Sequence, residues 1–128
     1  KDITHPTHDL IYRRRATLRA YFETLIIIYP IDIMKVVFKK STNPKKKYMA
    51  VFYEGSKKVK TTHFGAAGMS DYTKHRDEAR KQRYIKRHRT NENWSNYMSA
   101  GALSRWILWN QKTLKASKAD YKRRFKLD

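Results

Sequence analysis

Three short runs of β-branched and aromatic residues follow one another and stop at a pair of glycines, after which apolar residues recur at helical spacing. The runs are Lys35 to Lys39 (KVVFK), Lys47 to Tyr53 (KYMAVFY) and Lys57 to Phe64 (KKVKTTHF). Ser41 to Lys45 (STNPK) separates the first two, and Glu54, Gly55 and Ser56 the last two. Connections this short cannot carry a crossover, so the runs are expected to pair as a three-stranded antiparallel meander. Val36 with Phe38, and Met49 with Val51 and Tyr53, are expected to share one buried face while the lysines stay in water. Three strands alone are not stable, so helices must cover that face.

Helical patterning begins after Gly65 and Gly68. Ser70 or Asp71 can accept from the free amides of a first turn, and a helix is expected from Tyr72 to Arg89, with Asp77 and Glu78 its only acidic relief. A second helix is expected over Ala100 to Trp109 (AGALSRWILW) with Ser99 as N-cap and with Leu103, Trp106, Ile107 and Asn110 on one face. A third is expected to start near Ser117, three residues before Asp120 in a capping-box-like arrangement, carrying Tyr121 and Phe125 inward. The expected fold is α+β, a three-stranded antiparallel meander followed by about three helices, with an N-terminal extension.

Length and charge set the domain organisation. A chain of 128 residues with 40% apolar content fills one modest core. Its 30 Lys and Arg against 11 Asp and Glu give a net charge of +19, and residues 34–128 hold 25 of those cations and only 7 of the anions. Residues 1–33 therefore read as an N-terminal extension or arm, and residues 34–128 as a basic α+β domain. Met34 stands where the basic part begins and is a candidate initiator. The other reading of the first segment is an ordinary arm with a helix from Asp9 to Ile28 that stops before Pro30. The run from Leu25 to Ile31 is far short of the ~20 residues that cross a bilayer, and Glu23 interrupts it as a secretory signal. Absence of cysteine removes disulfides, thiolate metal sites and a cysteine nucleophile together.

Such an excess of positive charge repels itself in a compact fold and is expected to be met by a polyanion or an acidic partner. The candidate contacts are Lys74, Arg76, Arg80, Arg83, Lys86, Arg87, Arg89, Arg123 and Arg124. Arg76, Arg80, Arg83 and Arg87, spaced 4, 3 and 4 apart, would form a guanidinium stripe along one continuous helix. Gly65-Ala66-Ala67-Gly68 could present amides to a phosphate, but neither a dinucleotide-binding nor a P-loop spacing follows, so a sharp turn from strand to helix is the better account. Trp94, Trp106 and Trp109 at helical spacing read as core before they read as base-stacking platforms. His5, His8, His63, His75 and His88 lack the spacing of metal ligands, and no catalytic, cofactor or metal residues are expected. No zinc-finger, RNA-recognition or leucine-zipper pattern occurs, which points to backbone contact over base readout.

Several stretches carry a resemblance. His63-Phe64-Gly65, Gly68-Met69-Ser70-Asp71-Tyr72-Thr73, Arg83-Tyr84-Ile85, Arg87-His88, Asn91-Glu92-Asn93-Trp94, Ala100 to Asn110 (AGALSRWILWN) and Tyr121 to Phe125 (YKRRF) resemble a family of small basic proteins of unknown activity. That family occurs in nucleocytoplasmic large DNA viruses, including algal viruses of the chlorovirus kind. The likeness covers residues 34–128, and the family offers no catalytic residues to carry over. It implies a virion setting, with the host cytoplasm or nucleus during assembly. The role expected first is a non-enzymatic minor capsid or internal adaptor protein that contacts acidic capsid proteins of the same virus or the inner membrane surface, without a transmembrane span. The alternative is a sequence-nonspecific DNA- or RNA-binding protein that accompanies the packaged genome.

Overall fold

A computed structural model of the protein describes residues 33–128. The helix expected over Asp9 to Ile28 lies outside the described residues. Strands β1 (Met34–Lys40), β2 (Lys46–Glu54) and β3 (Lys57–Ala66) form an antiparallel sheet in the order β1-β2-β3, the expected meander. In the first hairpin Asn43 shapes the turn: its side chain accepts from the Lys45 amide at 2.9 Å and its carbonyl from the Lys46 amide at 3.0 Å. Gly55, at φ 63°, closes the second.

Register corrects one expectation. Val36 lies opposite Phe52, and Phe38 opposite Ala50, so the helix-facing residues of β2 are Tyr48, Ala50 and Phe52 rather than Met49, Val51 and Tyr53. Directly opposed residues point to the same side of a sheet, and a one-residue slip exchanges the faces. Both alternating sets of β2 are apolar, so hydrophobic pattern alone could not choose between them.

Helices α1 (Tyr72–His75), α2 (Glu78–Arg89), α3 (Ala100–Leu103) and α4 (Leu114–Phe125) follow the sheet. The continuous helix expected over Tyr72 to Arg89 is in fact two. Arg76 turns left-handed at φ 53°, and Asp77 starts again as the N-cap of α2, accepting from the Arg80 amide. Asp71 caps α1 in the same way through the Thr73 amide at 3.0 Å. Two capping aspartates six positions apart therefore mark two starts. Ser99 caps α3 as expected, but from Ser104 to Leu108 the backbone widens into a π-helical turn, closed by the Trp109 amide donating to the Ser104 carbonyl at 3.1 Å. The last helix begins earlier than expected. Thr113 is its cap, while Ser117 is buried one turn inside and accepts from the Gln111 amide at 3.0 Å, so Ser117 and Asp120 form no capping box.

The core lies between the sheet and the helices. Val36, Ala50, Phe52 and Phe64 from the sheet meet Leu103, Ile107, Leu108 and Tyr121 from the helices, each 2% exposed or less. Burying each large side chain stabilises the fold by about 1.5–3 kcal/mol. Phe38 packs edge-on against Tyr121, with centroids 5.8 Å apart. The Tyr121 hydroxyl donates to the Tyr97 carbonyl at 2.5 Å, which fixes α4 to the segment before α3, and burial holds its phenol far above the ordinary range. Beyond α4 the chain returns to β1: Val36 donates to the Asp128 carbonyl at 3.0 Å and Asp128 to the Met34 carbonyl at 2.9 Å. This covers part of an edge that would otherwise be open to another strand.

Gly65 makes the close approach of sheet and helices possible. It holds φ 79°, and a Cβ there would stand 2.8 Å from Leu108 Cδ1, whereas Gly68, at φ 83°, has open space around it. Gly68→Ala is expected to destabilise the domain by about 1 kcal/mol from backbone strain alone. Gly65→Ala adds overpacking and should lose about 2–4 kcal/mol. Urea denaturation of the two variants checks the order, and equal losses would contradict it.

Candidate functional site

The end of β3, the start of β2 and helix α2 enclose a cleft of about 600 Å³. Its buried lining is largely apolar, with Phe64, Tyr84 and Leu108 beside the Lys47–Asp71 pair, while exposed cations Lys46, Arg80, Arg83 and Arg87 stand at its edge. Arg80, Arg83 and Arg87 share one face of α2, since residues three and four apart are neighbours on a helix. A second hollow, lined in part by Lys40 and Lys74, shares Lys46, Lys47, Met69 and Ser70 with the first, so the two form one basic groove. Among the described residues Arg80, Arg83 and Arg87 have no carboxylate partner.

Two carboxylates also line the cleft, and both are engaged. Asp71, 1% exposed, takes the Lys47 ammonium at 2.5 Å as well as the amide and hydroxyl of Thr73. Glu92 accepts from the Trp94 indole at 2.8 Å and lies 3.2 Å from His88 Nδ1. Asp71 also answers the question of a phosphate cradle at Gly65 to Gly68. The Ala67 amide goes to the Lys45 carbonyl, the Met69 amide to the Ala66 carbonyl, and the start of α1 is already occupied by a buried aspartate. This glycine-rich stretch turns the chain and spends its Ala67 and Met69 amides inside the fold.

An aromatic ladder stiffens the α2 wall. Trp109 stacks on Tyr84 with centroids 4.3 Å apart and planes at 4°, and Tyr84 stacks on His88 at 4.2 Å. The π-helical turn precedes Trp109, and Arg105 Nη1 donates to the Trp109 carbonyl at 2.7 Å, so this indole is set by the end of that turn. Burial pushes the Tyr84 phenol well above its ordinary range, and it stays neutral through physiological pH. On the ladder's far side the His75 ring lies 5.3 Å from Trp109, and its Nδ1 accepts from the Asp77 amide at 2.9 Å.

A second basic group surrounds Trp106. The guanidinium carbons of Arg124 and Arg105 lie 3.8 Å and 4.3 Å from the indole centroid, and Arg105 also reaches Trp94 at 5.4 Å. Asp120 steadies this group, taking the Asn110 amide at 2.7 Å, Arg124 at 3.3 Å and Arg123 at 3.4 Å. The Trp106 indole nitrogen donates to the Trp94 carbonyl at 3.0 Å. The three tryptophans are half-buried: Trp106 and Trp109 pack against the core from its edge, and Trp94 and Trp106 also carry guanidinium groups over their rings.

The structure sorts the nine expected contact residues. Arg80, Arg83 and Arg87 line the cleft and Lys74 the adjoining hollow. Arg76 leaves the stripe because the helix is broken there, and its Nε donates to the Lys112 carbonyl at 3.1 Å. Lys86 and Arg89 are exposed on α2 and line neither hollow, while Arg123 and Arg124 belong to the group around Trp106. Sequence reasoning missed Lys46 and Lys47, which sit in a strand whose first residues gave no sign of facing α2, and Arg105, whose only signal was its place between tryptophans. Among the described residues no group of acidic residues and histidines is arranged to hold a metal ion, and no helix is long and apolar enough to cross a membrane.

Comparison with known proteins matches residues 36–88 to a family of unknown function, DUF5754. No curated protein and no solved structure matches the chain. The matched segment runs from β1 almost to the end of α2, so it holds every cation of the groove, whereas Arg105, Trp106 and Arg124 lie beyond it.

Asp120 gives the site a pH signature. Burial works against its charge, but the Asn110 hydrogen bond and the nearby Arg124 and Arg123 outweigh that, and its carboxyl is held below the usual aspartate range. A depressed folded-state value stabilises the fold above the unfolded value of ~4, and the contribution is lost as pH falls through the folded value. The stability difference between the natural protein and Asp120→Asn is therefore expected to be largest near neutrality and to shrink as pH falls below the usual aspartate range. Urea midpoints measured across that range check it, and a constant difference would contradict it.

Proposed function

We propose that the described domain is a non-enzymatic polyanion-binding module whose groove takes the phosphodiester backbone of nucleic acid without reading its sequence. One observation carries this reading: cations from separate segments, Lys46 and Lys74 beside Arg80, Arg83 and Arg87, converge on one groove while the carboxylates within it are already engaged. From Arg80 to Arg87 the helix rises about 10 Å, a span that meets two or three phosphates of one strand. Guanidinium groups suit this contact because their planar fork holds two phosphate oxygens at once. The chain carries no zinc-finger, RNA-recognition or leucine-zipper pattern, which agrees with backbone contact.

In the viral setting that the resemblance implies, such a module would accompany packaged DNA in the virion. A second reading is a minor capsid or adaptor protein that meets acidic capsid proteins or the inner membrane surface of the same particle. It draws support from cations that the groove does not gather, such as Lys35 and Lys39, exposed on the sheet face away from the helices.

Salt titration separates the two. The affinity of the protein for a random-sequence oligonucleotide is expected to fall steeply with salt. In a variant carrying Arg80→Ala, Arg83→Ala and Arg87→Ala the log-log slope should be shallower by about 2–3, at ~0.7–0.9 for each phosphate no longer neutralised. Lys35→Ala with Lys39→Ala should leave the slope unchanged. A flat slope for the natural protein, or no binding near physiological salt, would overturn the nucleic-acid reading and favour an acidic protein partner.

A further inference from the structure

Resting on that reading of the groove, we infer that its ligand is a single strand, with a base held in the apolar depth of the cleft while the phosphates lie on the cation edge. A duplex keeps its bases stacked inside and offers a protein its phosphates and groove edges, so it could touch Lys46, Arg80, Arg83 and Arg87 but leave the cleft below them unfilled. The cleft is larger than backbone contact requires. Its volume of about 600 Å³ falls within the range of sites that enclose small organic molecules, and Phe64 and Leu108 in its depth are apolar. Unstacked bases of a single strand fill such sites, because every base has an apolar face that stacks without regard to sequence.

Two features of the lining mark where a base would rest. Met69 is 61% exposed at the junction of the two hollows, an apolar side chain left in water beside a row of cations. A flexible, polarisable thioether there can lie against an aromatic ring of any shape. His88 is the last ring of the ladder that begins at Trp109. One face lies on Tyr84, its side chain remains 38% exposed, and the Glu92 carboxylate fixes its plane through Nδ1. A base placed on the other face would extend an existing stack, and the ring needs no reordering to receive it. Asp71 does not oppose the bound strand as a free charge would, since the Lys47 ammonium neutralises it, and the two oxygens of Glu92 are turned to the Trp94 indole and to His88 Nδ1.

The test compares a labelled oligothymidylate with a duplex of equal length, titrated against the full chain at one fixed ionic strength and read by fluorescence anisotropy. The single strand is expected to bind at least about tenfold more tightly. Removing one stacking partner typically weakens single-strand binding about fivefold or more, so Met69→Ser and His88→Ala should each do so while duplex affinity stays within twofold. Met69 is a surface residue, so its substitution keeps the test valid if His88→Ala perturbs the fold. Arg83→Ala should weaken both ligands alike. Equal or tighter binding of duplex, or equal losses for both ligands in Met69→Ser, overturns the single-strand assignment and leaves the backbone reading standing. Binding of neither ligand overturns both.

Discussion

Scarcity of negative charge governs this domain. From residue 34 onward 25 Lys and Arg face 7 Asp and Glu, and five of those seven carboxylates are committed to holding the structure. Asp71 caps α1 and pairs with Lys47, Asp77 caps α2, Glu78 takes Gln82 and the Tyr72 hydroxyl, Glu92 ties Trp94 to His88, and Asp120 joins Asn110 to Arg124. With the anions spent on caps and crosslinks, Arg80, Arg83 and Arg87 of α2 are left without a carboxylate partner among the described residues. A small core has to carry the fold against their repulsion, and it does so with aromatic rings that bury much area per residue: Phe52, Phe64 and Tyr121 together with Leu103 and Ile107.

The core and the groove are consequences of the same packing. The face of the sheet formed by Val36, Phe52 and Phe64 receives α3, the π-helical turn and α4. Gly65 lets that turn come close enough for Leu108 to floor the cleft. The turn then ends at Trp109, whose stack with Tyr84 and His88 holds α2 in place and presents Arg80, Arg83 and Arg87 along the opening. Stability and charge presentation thus pass through the same few residues. Substitutions at the floor should alter both, and substitutions at the rim should alter binding alone.

Much of this was legible in the sequence, for reasons that differ from element to element. The meander was visible because its connections are too short for anything else, and Ser99 was visible as a cap because a small polar residue precedes an apolar helical run. The break at Arg76 was signalled by Asp77, an N-cap residue that could equally be read as first-turn acidic relief. Nothing in the pattern required a left-handed arginine. Ser117 misled because its spacing to Asp120 imitates a capping box, while Thr113, four residues earlier, performs the capping. The choice of face on β2 was open because both faces are apolar, and with it went the position of Lys46, the cation that faces α2 across the cleft. Sites assembled from distant segments escape local spacing, which is why three arginines of the groove were found and the lysines of β2 were not.

The central claim is that the groove along α2, and not the cationic surface at large, is where this protein meets negative charge. Chemical-shift mapping tests it most directly, by following the backbone amides and arginine Nε–H groups of the full chain as an oligonucleotide is added. Shifts are expected to concentrate at Lys46, Met69, Arg80, Arg83, Arg87 and His88. Shifts spread evenly over exposed lysines, or centred on Lys35 and Lys39 of the sheet's other face, would contradict it.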